Sequence, residues 1–202
     1  MREAFAVAGA VAIAVAWWWV AAGRSAVLRV LPVVLGVLGI GTIAIVGSDL
    51  SLGSATSLAG GAGSGLVLYG ATLAFVAFAS RWEPFRRHVA ETYAEADAEP
   101  LVARLVLALA VSVPGEELFL RGLVQPRLAA SMAPWAAAAV TVAIEVATNL
   151  PSRRMPIVAA ALVGGAVWSG LAWWSGGVLA PIASHMVWTG LMLVRPPAAR
   201  RR

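Results

Sequence analysis

The sequence predicts an all-α protein, a polytopic bundle of about seven transmembrane helices, and three observations carry that prediction. Of its 202 residues, 60% are hydrophobic and only 12% are charged, and the mean hydropathy is +0.84, far from the balance of a soluble globular domain. Apolar runs of about 17 to 25 residues, long enough to cross a hydrocarbon core of about 30 Å, recur along the chain. Arginines punctuate those runs instead of gathering on one soluble face. The net charge of +5 therefore points to no nucleic-acid partner. All 15 basic residues are arginine. The absence of cysteine rules out a disulfide framework, a thiolate metal site and a cysteine nucleophile.

The first predicted span is 4–22. Arg2 precedes it and the small residues Ala21, Ala22 and Gly23 follow, which is also the layout of a cleaved signal peptide. Its length and the Trp17-Trp18-Trp19 run favour a retained helix. Spans two and three, 27–47 and 64–80, are rich in glycine and their ends are soft, but small residues suit membrane helices whose backbones approach closely. Residues 1–80 thus form an N-terminal group of transmembrane helices.

The one long polar segment is 81–100. Phe85, Val89 and Tyr93 recur at i, i+4, i+8, the pattern of an interfacial helix anchored by Trp82. Its charges oppose the helix dipole, with Arg86, Arg87 and His88 early and Glu91, Glu95, Asp97 and Glu99 late. A solvated polar connector is the competing reading, and His88 reads as a solvated histidine. Four further spans follow, at 101–125, 133–150, 156–174 and 178–194. Together they make a core over 101–194, and 195–202 is a basic C-terminal tail.

Arginine placement predicts an orientation through the positive-inside rule. Arg24 and Arg29, then Arg81, Arg86 and Arg87, then Arg153 and Arg154, and finally Arg195 with Arg200 to Arg202, fall at alternate connections. The intervening connections hold only Arg127. The C-terminus is therefore expected in the cytoplasm and the N-terminus outside.

Inside the fourth span lie two adjacent carboxylates and an arginine one turn later, Glu116-Glu117-Leu118-Phe119-Leu120-Arg121. An ionisable side chain at bilayer depth costs roughly 2.5 to 3.5 kcal/mol on insertion scales, so three together require pairing, water or a function. Two later spans carry further polar residues: Glu145 with Thr148 and Asn149, and Ser184 with His185 and Thr189. Glu117 and Arg121, Glu145 and Asn149, and His185 and Thr189 are each separated by four, so each pair shares a helix face. Three helices can thus direct polar groups into one cavity. Peptide hydrolysis requires a base to activate water and donors to stabilise an oxyanion, neither of which a bilayer interior supplies. Glu116 suits the base and later the acid, Arg121 can pair with Glu117, and His185 offers a donor, a proton carrier or a metal ligand. The bland alternatives are a structural Glu117–Arg121 ion pair, interhelical hydrogen bonds from Asn149 and Thr189, and a packed histidine.

Over roughly 101–194 the chain resembles the CPBP family of intramembrane proteases, which contains CAAX prenyl endopeptidases of the Rce1 type and bacterial Abi or bacteriocin-processing proteins. The match rests on Glu-Glu-x-x-x-Arg at Glu116, Glu117 and Arg121 with Gly122 following, and on a late His-x-x-x-Asn-type motif begun by His185. The resemblance implies that Glu116 is the base and His185 an oxyanion donor or a ligand, and zinc is the metal one description of the family implies. Two positions depart from the pattern. Asn149 stands where the middle motif has histidine, and Thr189 where the last has asparagine or aspartate. Asparagine accepts no proton as imidazole does, although its amide can orient water. Glu145, one turn before Asn149, is a candidate substitute base, and Glu116, Glu145 and His185 are the candidate metal ligands, three being the minimum for a zinc site.

The sequence is thus read as an integral protein of a bacterial-type plasma membrane, in contact with the lipid bilayer. Its expected activity is endopeptidase cleavage of a membrane-associated protein or peptide, with Glu116, Glu117, Arg121, Asn149, His185 and Thr189 as site residues. A catalytically inactive scaffold or binding protein of the same family is the alternative. A transporter is disfavoured because no internal repeat is evident.

Overall fold

The computed structural model describes residues 1–24, 26–96 and 99–197, apart from the side chains of 95 and 96. Asp97 of the polar segment and Arg200 to Arg202 of the tail lie outside the described residues, as does the side chain of Glu95. The chain is an all-α membrane helix bundle. Its helices are α1 (Arg2–Ala21), α2 (Val27–Val46), α3 (Thr56–Ala79), α4 (Glu83–Ala96), α5 (101–129), α6 (Pro134–Asn149), α7 (Met155–Ser175) and α8 (Leu179–Val194). Each predicted span is a helix, with two notable changes of extent. The third starts at Thr56, eight residues before the predicted boundary, and the fourth runs on to Ala129.

The fourth span is also irregular. Within α5, Val106–Ser112 and Leu118–Val124 are π-helical, flanking a short α-helical piece, Val113–Glu117. A proline follows each π segment by two residues, Pro114 and Pro126. Proline has no N–H and crowds the carbonyl four residues back, so an ordinary i→i−4 ladder cannot run through it. Widening to i→i−5 is one way for the helix to continue. Glu116 and Glu117 thus sit between two wide turns.

α5 lies along α2, α3 along α8, and α6 along α7, while α1 covers α2 and α6. The α2–α5 approach is close because both helices present glycine there. A Cβ on Gly39 would stand 2.7 Å from the Gly115 Cα, and one on Gly115 would stand 2.2 Å from the Leu35 carbonyl oxygen. The residue before Glu116 is therefore pinned against another helix. Phe119, fully buried, adds the knob, packing with Phe5, Leu35 and Leu38 in the core shared by α1, α2 and α5.

Outward faces are apolar, with Val33, Val37, Ile40, Val67, Phe78 and Leu162 exposed, and the buried polar residues lie inside. α1, α2, α3 and α7 are each long and apolar enough to cross a membrane. Exposed tryptophans mark the two ends of the bundle, Trp18, Trp19 and Trp82 at one and Trp135, Trp173 and Trp174 at the other, as interfacial belts do. The first end holds Arg24, Arg29, Arg81, Arg86, Arg87, Arg153, Arg154 and Arg195. The second holds the pairs Arg2–Asp49 and Arg127–Glu3, each 2.7 Å. α4 lies at the arginine-rich end, where Phe85 and Val89 are buried against Val76, with Tyr93 alongside. That is the i, i+4, i+8 face read from the sequence.

Gly115→Ala should lower the unfolding temperature of the detergent-solubilised protein, since overpacking typically costs about 1 to 3 kcal/mol. Gly63→Ala, at a position where an added Cβ meets nothing within 4 Å, should leave it unchanged.

Candidate active site

Arg121, Glu117, Glu145, Ser169 and His185 are all buried, and one network joins them. The guanidinium of Arg121 is its hub. Nη1 donates to Glu117 Oε1 at 3.4 Å, Nη2 donates to Glu145 Oε2 and to the Gly165 carbonyl (3.1 Å), and Nε donates to Ser169 Oγ at 3.3 Å. Arginine's rigid fork suits such a role, since it can meet several acceptors at once and stays charged. The same Glu117 oxygen lies 2.8 Å from His185 Nδ1. Gln125 Nε2 extends the network by donating to the Ser169 carbonyl at 3.0 Å.

Four helices supply these groups. α5 presents Glu117, Arg121 and Gln125 from one face, α6 gives Glu145, α7 gives Gly165 and Ser169, and α8 gives His185. Gly165 is required by space: a Cβ there would lie 2.7 Å from Glu145 Oε2. His185 is stacked on the Trp168 indole, with ring centroids 3.6 Å apart and planes 13° from parallel. Trp188 packs edge-on against Trp168 at 5.7 Å.

Glu116 differs from the other two carboxylates. It is half-buried and has no hydrogen-bond or ion-pair partner among the described residues, yet it lies within electrostatic reach of Glu117, Arg121, Glu145 and His185. A carboxylate with free lone pairs can take a proton from water. Glu117, committed to Arg121 and His185, can orient the imidazole.

The sequence-predicted residues divide accordingly. Glu116, Glu117, Arg121, Glu145 and His185 come together. The expected Glu117–Arg121 pair forms, but Arg121 also engages Glu145, more closely. Glu145, the candidate substitute base, has its carboxylate paired with Arg121 and packed against Gly165. Asn149, the last residue of α6, turns its amide onto its own helix, Nδ2 donating to the Glu145 carbonyl at 2.8 Å. Thr148 Oγ1 donates to the same oxygen at 2.9 Å. Thr189 lies away from the network and lines an apolar cavity of 510 Å³ among α3, α4, α7 and α8, with Thr72, Phe75, Val163 and Trp188. Ser184 is buried with its hydroxyl unpartnered.

The proposed metal ligands do not form a site. Among the described residues no three His, Asp or Glu side chains are placed to hold a metal ion. Of Glu116, Glu145 and His185, the second is paired with Arg121, while the third meets Glu117 through Nδ1 and keeps Nε2. Zinc coordination would need at least three such groups converging on one point.

Gly165, Trp168 and Ser169 on α7 escape the sequence reading. Their signal is an i, i+3, i+4 face that begins at Gly165 of the Gly164-Gly165 pair and holds Ser169, the one serine of this apolar helix before its last residue, Ser175. Removing one partner of a buried ion pair costs about 3 to 5 kcal/mol, because the other charge stays buried. Arg121→Ala, which strands two carboxylates, should abolish the monodisperse peak in detergent size-exclusion chromatography. Glu145→Gln, which keeps an acceptor for the guanidinium, should retain it.

No curated protein and no solved structure matches the chain. Residues 98–191, just under half of the chain, match the model of a protein family described as type II CAAX prenyl endopeptidase Rce1-like. The matched segment runs from the start of α5 into α8 and contains every residue of the buried network. By that match this segment of the chain is similar to the Rce1-like family of membrane proteases.

Proposed function

We propose that the protein is an intramembrane endopeptidase that hydrolyses a peptide bond of a membrane-associated protein or peptide with a water activated by Glu116. One observation carries the reading: of three clustered carboxylates, Glu116 alone has no ion pair or hydrogen bond among the described residues, and it lies within electrostatic reach of an imidazole held by Glu117. Glu116 takes a proton from water as the oxygen attacks the carbonyl carbon. His185, its Nδ1–H accepted by ionised Glu117, offers Nε2–H to the developing oxyanion when the ring carries its second proton. Collapse breaks the C–N bond, and the proton held by Glu116 passes to the leaving amine. Water and a peptide bond thus give a carboxylic acid and an amine. Arg121, held by Glu145, fixes Glu117. The apolar cavity behind Trp188 supports a substrate that carries an apolar group, and Thr189 on its wall takes a place in substrate contact rather than in proton transfer.

The arginine-rich end is read as the cytoplasmic side by the positive-inside rule, which puts the C-terminus there and the N-terminus outside. A second reading, a family member without activity that serves as a membrane scaffold, is favoured by Asn149. That residue replaces the middle-motif histidine and commits its amide to its own helix.

The test is cleavage of a panel of membrane peptides by the protein reconstituted in vesicles. Glu116→Ala should reduce the rate at least about a hundredfold, the scale of general acid–base catalysis, and His185→Ala should also slow it. Cleavage unaffected by Glu116→Ala would reject the mechanism. If the unaltered protein cleaves nothing, Asn149→His distinguishes the readings: gained activity means a silenced site, and continued inactivity means the scaffold.

A further inference from the structure

The buried network explains how Nδ1 of His185 is held but not how the ring plane is set. One hydrogen bond leaves an imidazole free to rotate about it. Trp168 supplies the second constraint. Its indole is 2% exposed and covers the imidazole face at 3.6 Å, nearly parallel. Two further groups lie close to the indole. Arg121 Cζ stands 5.8 Å from the ring, and a Cβ on Gly164 would fall 2.7 Å from the indole Cη2. Gly164, Gly165, Trp168 and Ser169 lie on one face of α7, so the helix that receives the guanidinium also carries the plate on which the imidazole rests.

We propose that Trp168 is a positioning residue of the site, setting the plane of His185 so that, with Nδ1 on Glu117, Nε2 faces the reacting oxygen. The proposal rests on the endopeptidase reading for its kinetic consequence but not for its structural one. Gly164 belongs to it by necessity, since any side chain there displaces the indole. Gly164 and Trp188, both packed against the indole, also line the apolar cavity.

The chain has two histidines, so full-length protein carrying His88→Asn leaves His185 as the sole imidazole for 15N-histidine NMR in nanodiscs. Its ring protons are expected upfield, in the indole's shielding region, with 15N shifts of a single tautomer. Trp168→Leu should move them downfield and mix tautomers, Gly164→Ala should move them without touching His185, and Trp168→Phe should restore most of the effect. With a cleaved peptide, Trp168→Leu should lower kcat about two- to tenfold, the worth of one stacked aromatic pair, leave KM unchanged, and be rescued by Trp168→Phe. Unchanged resonances and one retained tautomer in both Trp168→Leu and Gly164→Ala would overturn the proposal. So would shifted resonances with unchanged kcat. If the parent protein cleaves no peptide, the endopeptidase reading fails by itself, and the tautomer measurement still decides for or against Trp168.

Discussion

The structure depends on a single buried guanidinium. Arg121 is buried, and its donors are divided among Glu117 on its own helix, Glu145 on α6, and Gly165 and Ser169 on α7. A charge at that depth is tolerable only with such compensation. The arrangement ties α5 to α6 and α7, and through Glu117 to His185 it reaches α8. Helix association gains little from hydrophobicity in a medium as apolar as the helices, so hydrogen bonding and close packing must specify the bundle. Arg121 supplies the first and the Gly39–Gly115 approach the second, both within the same two turns of α5.

The same residues give the site its division of labour. The guanidinium engages Glu117 Oε1 and Glu145 Oε2 and makes them a rigid support; Glu117 Oε2 has no partner, and Glu116 has both oxygens unused among the described residues. Adjacent positions on a helix face different directions, so the pair Glu116-Glu117 points one carboxylate into the network and the other past it. The π-helical turns imposed around Pro114 and Pro126 rotate this short piece relative to the rest of α5. They also explain why the span exceeds its predicted length without becoming a simple rod.

Much of the fold was legible because hydropathy over a span-length window reflects the surrounding solvent, and each of the seven predicted spans is a helix. The amphipathic face of α4 was equally plain, since Phe85, Val89 and Tyr93 obey helical periodicity. Boundaries were less so. The start of α3 lies among alanine, glycine and serine, which neither favour the membrane strongly nor resist it. At the site, Glu116, Glu117, Arg121 and His185 stood out as polar residues in apolar surroundings, whereas Trp168 and Gly165 did not, because tryptophan and glycine are ordinary in membrane helices.

By itself the sequence determined that the chain folds as helices in a bilayer, which groups are too costly to leave unpaired there, and which helix faces carry them. Only the tertiary structure decided who pairs with whom. Glu145 and Asn149 share a helix face, yet the carboxylate closes on Arg121 while the amide turns back to its own backbone. His185 and Thr189 share another, yet one joins the carboxylates and the other borders the apolar cavity. Spacing along a helix fixes direction relative to that helix alone. The rotation and depth of its neighbours, set by glycine contacts and the shared guanidinium, determine what lies in that direction.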